Sequence, residues 1–156
     1  MRKTCLPGIM MLCGLLIYGQ QTATLNLAFN HLALSVKDID RSVDFYKHVL
    51  ELAEGSTQAQ IQEGVRWFSL GGGQQLHLIT DKYYKRGTVI TNKAIHLALT
   101  TNNFDELLKI LDARKVNYGN WEGDPQKITI RSDGARQIYL QDPDGYWIEI
   151  NSVGQK

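Results

Sequence analysis

The sequence predicts an α+β fold built from two βαβββ repeats, whose strands form a curved mixed sheet with the helices on its outer face. The first observation is an internal repeat, because the stretch 30–36 (NHLALSV) recurs as 95–101 (IHLALTT). Each copy alternates with the period of two that is typical of a strand. The second observation is that apolar residues at helical spacing follow each copy, and that strand-like segments follow each helix.

Each predicted element has its own signal in the sequence. The first helix is predicted by Ile39, Val43, Tyr46 and Leu50, and the second by Phe104, Leu107, Leu108 and Leu111. Asn103, with Glu106 three residues later, indicates a capping box at the start of the second helix. The further strands are predicted over 58–62, 65–70, 75–80, 127–131, 136–141 and 146–152. The residues 142–145 (DPDG) predict a tight turn, because proline pre-sets the backbone and glycine permits a positive φ.

Residues 1–23 are predicted to be a secretory signal peptide, and residues 24–156 to be the domain itself. A basic start at Arg2 and Lys3 precedes a mostly apolar run over 6–18, which is too short to span a bilayer comfortably. An uncleaved anchor is the alternative, because the cleavage site lacks a clean Ala-x-Ala pattern. We therefore expect a periplasmic or secreted protein without stable membrane association after cleavage.

The composition excludes several kinds of partner and site. The formal net charge is +1, and cleavage would change it to about −1, so nothing indicates a nucleic-acid partner. Both cysteines, Cys5 and Cys13, lie in the predicted signal peptide. The domain therefore has neither a cysteine nucleophile nor a zinc site built on cysteine.

Four polar residues are predicted to lie on the sheet face opposite the helices. Because Leu32 and Leu34 must pack against the helix, strand alternation turns His31 to the other face. The same alternation applies to the three other residues, which each lie between two aliphatic neighbours; these are His77, His96 and Glu149.

The repeat adds a second constraint on these four residues. His31 and His96 occupy equivalent first strands, whereas His77 and Glu149 occupy equivalent last strands. Pseudo-twofold symmetry would then gather all four around one divalent metal, for which Zn, Ni, Co, Fe and Mn are suitable ions. A merely polar, solvated sheet face is the alternative. Apolar neighbours on that face favour a lined cavity instead; they include Phe29, Ala33, Ile79, Ala98 and Trp147.

Strand alternation also predicts the residues that line this cavity and bind a substrate. Gln137 and Tyr139 should face it, with Trp67 and Trp147 as aromatic walls. Arg131 and the loop 83–86 (YYKR) could reach an anionic substrate from the rim. The alternative for these loop residues is an ordinary solvated charge.

At this point the chain resembles the vicinal-oxygen-chelate family, also called the glyoxalase/bleomycin-resistance/dioxygenase superfamily. The stretches that carry the resemblance are 30–36, 42–50, 76–78, 95–99 and, most specifically, 142–150 (DPDGYWIEI). The resemblance covers about residues 28 to 152 and implies metal ligands at His31, His77, His96 and Glu149. It also implies a small substrate that chelates the metal through two adjacent oxygens. Glu149 would stay a fixed ligand or loosen to act as the general base.

The chain departs from each well-known branch of that family at one position or more. Members similar to glyoxalase I usually carry glutamate where this chain has His77, and glutathione is a cytosolic thiol. Fosfomycin thiol-transferase-like members use a His, His, Glu set but have threonine where this chain has Ala33. Extradiol dioxygenase-like members need a further acid–base histidine, and His48 is badly placed on the first predicted helix.

The leading expectation is a metal-dependent lyase or isomerase of the lactoylglutathione-lyase-like type. The alternatives are a non-catalytic binding or resistance protein of the same fold and an Fe(II) extradiol-type dioxygenase. The sequence leaves open whether the two repeats pair within one chain or across a dimer. The short link 81–92 favours a homodimer.

Overall fold

The structure, a computed structural model, describes residues 27–57, 61–80 and 92–153. The predicted signal peptide 1–23 and the loop 83–86 lie outside the described residues. In the first half, the elements are β1 (His31–Val36), α1 (Ile39–Asp44), β2 (Ile61–Gln62), β3 (Val65–Gly71) and β4 (Gln74–Thr80). In the second half, they are β5 (His96–Thr101), α2 (Phe104–Ala113), β6 (Tyr118–Gly119), β7 (Thr129–Ile130), β8 (Arg136–Gln141) and β9 (Trp147–Ser152). The predicted α+β class with two repeats is confirmed.

The two helices begin differently from one another. The Asp38 carboxylate accepts hydrogen bonds from the backbone N–H groups of Asp40 and Arg41, both at 3.1 Å, and so caps α1. This helix continues as a π-helical turn over Phe45–Val49. The predicted capping box at α2 is wrong, because the Asn103 side chain makes no capping bond there. Its backbone, at φ −113° and ψ 49°, lies outside the extended region that a capping residue usually adopts.

The strands form two sheets that share no strand pairing within the described residues. The order is β1-β4-β3-β2 in one sheet and β5-β9-β8-β6 in the other, with β7 also paired to β8. The pairs β1–β4 and β5–β9 are parallel and equivalent in the two repeats. Each sheet therefore ends in its first strand, and β1 and β5 each leave one backbone edge without a partner strand in the part of the chain that the structure describes.

One apolar core joins both halves on the helix side of the sheets. Its fully buried side chains are Val36, Tyr46, Phe68, Leu76, Leu78, Phe104, Leu111, Ile138, Leu140 and Ile148. The aliphatic residues of alternating strand positions thus pack inward, as the sequence predicts. No helix among the described residues is long and apolar enough to cross a membrane.

The turn 142–145 connects the second repeat to the first. The Tyr46 hydroxyl donates to Asp142 Oδ2 at 2.8 Å, and the Ser42 hydroxyl donates to Asp144 Oδ2 at 3.1 Å. Asp142 Oδ1 accepts from the backbone N–H groups of Asp144 and Tyr146, at 2.9 and 2.8 Å. We call Ser42, Tyr46, Asp142 and Asp144 the inter-repeat latch. The predicted turn therefore also links the second repeat to α1 and the π-helical turn of the first repeat.

Candidate metal centre and substrate cavity

Three aromatic rings stack across β3, β4 and β1 on the face opposite the core. The Trp67 and His77 ring centroids are 4.1 Å apart with planes 12° from parallel. The His77 and His31 centroids are 4.2 Å apart with planes 10° from parallel. The strand register explains this arrangement, since Trp67 and Ala33 are the direct neighbours of His77 on the two adjacent strands. We call Trp67, His77 and His31 the ring stack.

Hydrogen bonds define the free nitrogen of each histidine in the ring stack. His31 Nδ1 lies 2.7 Å from the Asn30 amide oxygen, and His77 Nε2 lies 3.1 Å from the Gln75 amide oxygen. Because an amide oxygen only accepts, each of these nitrogens donates. The other ring nitrogen, Nε2 of His31 and Nδ1 of His77, therefore carries a free lone pair. Burial, and then the neighbouring His31, lower the pKa of His77, so this ring is neutral near pH 7.

The parallel planes of the ring stack restrict how its histidines can bind metal. An imidazole lone pair lies in the plane of its ring, so two parallel stacked rings do not direct their lone pairs at one point. His77 must therefore turn out of the ring stack if it is to share one ion with His31.

The second repeat contributes a histidine and a carboxylate. His96 Nδ1 lies 2.6 Å from the Lys93 carbonyl oxygen and therefore donates to it, which directs Nε2 towards Glu149 Oε2 at 3.1 Å. His96 Nε2 and Glu149 Oε2 are then two acceptor atoms that face one another, so a proton or a cation between them would satisfy both. Metal-binding histidines commonly donate their second N–H to a carbonyl in this way.

The Glu149 carboxylate is held by side chains of its own sheet. The Tyr139 hydroxyl donates to Oε2 at 2.5 Å, and the Asn151 amide donates to Oε1 at 2.6 Å. Burial acts to raise the pKa of Glu149, but hydrogen bonds from Tyr139, Asn151 and Gln137 outweigh it and lower the pKa. Burial, and then the contact with Glu149, raise the pKa of Tyr139 well above its ordinary value. Glu149 is thus an ionised carboxylate, and Tyr139 is a hydroxyl donor.

The four predicted ligands lie as two pairs, one in each sheet. Across residues 27–57, 61–80 and 92–153, no three His, Cys, Asp or Glu side chains form a group that could hold a metal. The structure therefore brings His31 to His77 and His96 to Glu149, but it does not gather all four within one chain. The physical reason is that β1 and β5, which begin with His31 and His96, are edges of separate sheets. The donor types and free nitrogens nevertheless fit a divalent ion.

Comparison with known proteins decides the family. The model of the "Glyoxalase/Bleomycin resistance protein/Dioxygenase superfamily" matches residues 28–150. The chain belongs to this superfamily. The metallothiol transferase FosB of Staphylococcus epidermidis (strain ATCC 12228 / FDA PCI 1200) is 29% identical over 128 residues, which are 79% of this chain and 80% of that protein.

Solved structures of superfamily members share the fold. The oxidase ChaP-H2 has a TM-score of 0.66 at 20% identity, covering 83% of this chain and 95% of its own. A lactoylglutathione lyase from Agrobacterium tumefaciens has a TM-score of 0.57 at 19% identity, covering 80% and 92%. At this level of identity the likeness establishes the fold.

The predicted substrate-binding residues of this superfamily member lie in four places. Trp67 belongs to the ring stack. Gln137 and Tyr139 lie beside the Glu149 carboxylate. Tyr139 donates to it, and the Gln137 amide donates to Asn151 Oδ1 at 3.1 Å. Trp147 lines a cavity of about 730 Å³ that Tyr139 also lines. Arg131 is exposed and pairs with Asp133 at 3.1 Å, while its charge also acts on Tyr139.

Sequence reasoning missed two residues that the structure brings to the site. Asn151 lies two residues after Glu149, so strand alternation places it on the same face and could have identified it. Lys93 lies in an irregular segment and had no such signal. Its carbonyl holds His96, and its side chain lies in the cavity wall.

Proposed function

We propose that this superfamily member is a metal-dependent enzyme of the lyase or isomerase type. Its substrate is a small molecule that chelates one divalent ion through two adjacent oxygens. The observation that carries the proposal is the pair of His96 and Glu149 in the second repeat. His96 is held by the Lys93 carbonyl, and its Nε2 lies 3.1 Å from Oε2 of the ionised Glu149. When bound, the ion would act as a Lewis acid towards the substrate oxygens.

We propose His31, His96 and Glu149 as ligands, with His77 as the fourth ligand once its ring leaves the ring stack. The ion is Zn, Ni, Co, Fe or Mn, since all of these accept imidazole and carboxylate. Asn30 and the Lys93 carbonyl orient the two ligand imidazoles through their Nδ1 atoms.

Glu149 is also the proposed catalytic base. Hydrogen bonds from Tyr139 and Asn151 keep it ionised, so it can accept a proton from carbon next to a chelating oxygen. The Tyr139 hydroxyl remains a donor to Glu149 Oε2. Glu149 would return the proton to the neighbouring carbon in an isomerisation.

The full ligand set would form across a homodimer, with His31 and His77 from one chain and His96 and Glu149 from its partner. Three features support this: the edges of β1 and β5 that have no partner strand among the described residues, the positions of His31 and His96 at the start of these strands, and exposed apolar neighbours. Phe29 is 60% exposed and Ile95 is 68% exposed. Edge strands with such surfaces readily pair with another chain, and a twofold dimer would form two equivalent sites.

A second candidate is metal-dependent thiol transfer. FosB, a metallothiol transferase by name, is 29% identical to this chain, and His31, His96 and Glu149 would supply a His, His, Glu set. Ala33 is the departure from that branch.

We also propose that residues 1–23 direct secretion to a periplasmic or extracellular location.

The first test is metal content, measured by plasma mass spectrometry on the purified protein. About one ion per chain is expected, lost in His96→Ala and Glu149→Ala. The exposed His48 serves as the matched control, since His48→Ala should keep the metal. No metal, even after reconstitution, would contradict the enzyme proposal and leave a binding protein of the same fold. Oxygen uptake with Fe(II) and a catechol would instead support the dioxygenase alternative.

Mixing two inactive variants tests the dimer. His31→Ala and Glu149→Ala each damage every site in their own homodimer. A hybrid of the two has one intact site if the pairs meet across chains, so random mixing should restore about one quarter of the wild-type metal. No recovery, in a mixture shown to exchange subunits, would place the site within one chain.

A further inference from the structure

We propose that the cavity of the second repeat binds an anionic group of a small organic ligand, with Lys93 as the cation that recognises it. The inference that this ligand is the substrate rests on the proposed function, but binding of the ligand to the cavity does not depend on the metal. The cavity measures about 730 Å³, which is within the range of small-molecule sites. It lies between the sheet and residues 112–126.

The charge on Lys93 has no carboxylate partner among the described residues. Its ammonium donates to the carbonyl oxygens of Asn120 and Trp121, at 3.0 and 2.8 Å. An ammonium group has three donors, so one remains for a ligand. The two carbonyls fix the position of the charge without neutralising it.

The cavity lining favours an anion over a cation. Lys93 and Lys115 contribute two positive groups, and Asp112 is the carboxylate of the lining. This carboxylate is already engaged, because it is hydrogen-bonded to Tyr118 and raises the pKa of that phenol, after burial as the larger cause. The net charge of the lining is therefore positive.

Aromatic walls identify the rest of the ligand. The Lys93 ammonium lies 4.9 Å from the centre of the Trp147 ring and 5.8 Å from that of Tyr139. Such rings stabilise the ammonium by cation–π attraction and present flat apolar surface to a ligand. A carboxylate or phosphonate attached to a planar apolar group fits these features.

The cavity adjoins the candidate metal centre through Tyr139. The ring of Tyr139 forms a wall of the cavity, and its hydroxyl donates to Glu149. The carbonyl of Lys93 also holds His96. A ligand anchored at Lys93 would thus reach past Tyr139 towards His96 and Glu149. We therefore expect substrates with an anionic end separate from the two chelating oxygens.

The test uses the whole protein after metal has been removed with a chelator. The result therefore does not depend on whether the proposed metal site exists. Phenylphosphonate is the anionic probe and benzyl alcohol the uncharged one, with titration followed by calorimetry and tryptophan fluorescence. Wild type should bind phenylphosphonate, and Lys93→Gln should weaken binding by about tenfold or more. Lys109→Gln is the matched control, because Lys109 is exposed on α2 and pairs with Glu106.

Three outcomes would overturn the proposal: no binding of phenylphosphonate, equal binding of benzyl alcohol, or unchanged phenylphosphonate binding by Lys93→Gln. If Lys93→Gln lowers the melting temperature but leaves phenylphosphonate binding unchanged, the role of Lys93 is only structural, through its bonds to the carbonyls of residues 120 and 121. If Lys93→Gln does not fold, Lys93→Arg and a salt titration decide instead. Binding kept by arginine and weakened by salt supports an ionic contact, whereas salt-independent binding contradicts it.

Discussion

Replacing Tyr46 by phenylalanine removes a single hydroxyl from the inter-repeat latch. Tyr46 is fully buried and Asp142 is 5% exposed, so water cannot readily replace the lost donor. Asp142 Oδ1 keeps its two backbone donors, but Oδ2 loses the tyrosine hydroxyl. Hydrogen bonds to charged groups contribute about 1.5–3 kcal/mol. We therefore expect the free energy of unfolding to fall by about 2 kcal/mol, and the melting temperature by about 4–8 °C.

The pH dependence gives this prediction a sign. Burial raises the pKa of Asp142 despite the bond from Tyr46, which acts to lower it. A carboxyl with a raised pKa stabilises the fold fully below its ordinary pKa, and this stabilisation is lost as the pH rises through the raised value. Without the hydroxyl the pKa should rise further. The loss of stability in Tyr46→Phe should therefore be larger at pH 7 than at pH 4.

Urea unfolding of a double-mutant cycle measures the effect. The cycle contains Tyr46→Phe, Asp142→Asn and the double variant, and its coupling energy should be about 1–2 kcal/mol at pH 7. Tyr146→Phe is the matched control, because its hydroxyl donates to the neutral Ser35 carbonyl at 3.0 Å and should show little pH dependence. A coupling energy near zero, or equal losses at both pH values, would refute the reasoning.

Three further predictions concern the site and alkaline pH. Tyr139→Phe removes a donor from Glu149 and should weaken metal binding about 10–100-fold, measurable by competition with a chromogenic chelator; unchanged affinity would contradict this role. Metal binding that turns His77 out of the ring stack should change Trp67 emission, and a signal that persists in Trp67→Phe would exclude Trp67 as its source. Burial raises the pKa of Tyr46 well above 10.0, so its stabilisation is full below pH 10 and declines above it. Denaturant midpoints from pH 9 to 11 should therefore fall less steeply in Tyr46→Phe, and parallel curves would argue against this.

Local patterns in the sequence predicted most of the fold. The repeat identified β1 and β5, and strand alternation separated buried residues such as Leu78 from the face that carries His77. The predicted strand near 58–62 is confirmed at Ile61–Gln62. These features depend on neighbours a few residues apart, which the sequence displays directly.

The rest depends on contacts that have no local signal. The repeat symmetry relates His31 to His96, but it does not specify whether the two sheets meet edge to edge within a chain. The capping box at Asn103 was wrong because the backbone there lies outside the extended region and its N–H donates to Thr101 Oγ1 at 3.0 Å. Lys93 reaches the cavity through an irregular segment, so no periodicity could place it.

The position of the candidate ligands at the start of two edge strands has a consequence for quaternary structure. If each metal is shared between chains, then ion binding and subunit association form one linked equilibrium. A metal that binds only the assembled form stabilises that form more as its free concentration rises. Sedimentation velocity should then show dimers that a chelator converts to monomers and that added ions restore. The supply of metal would in that case set how many molecules are assembled as well as how many are active.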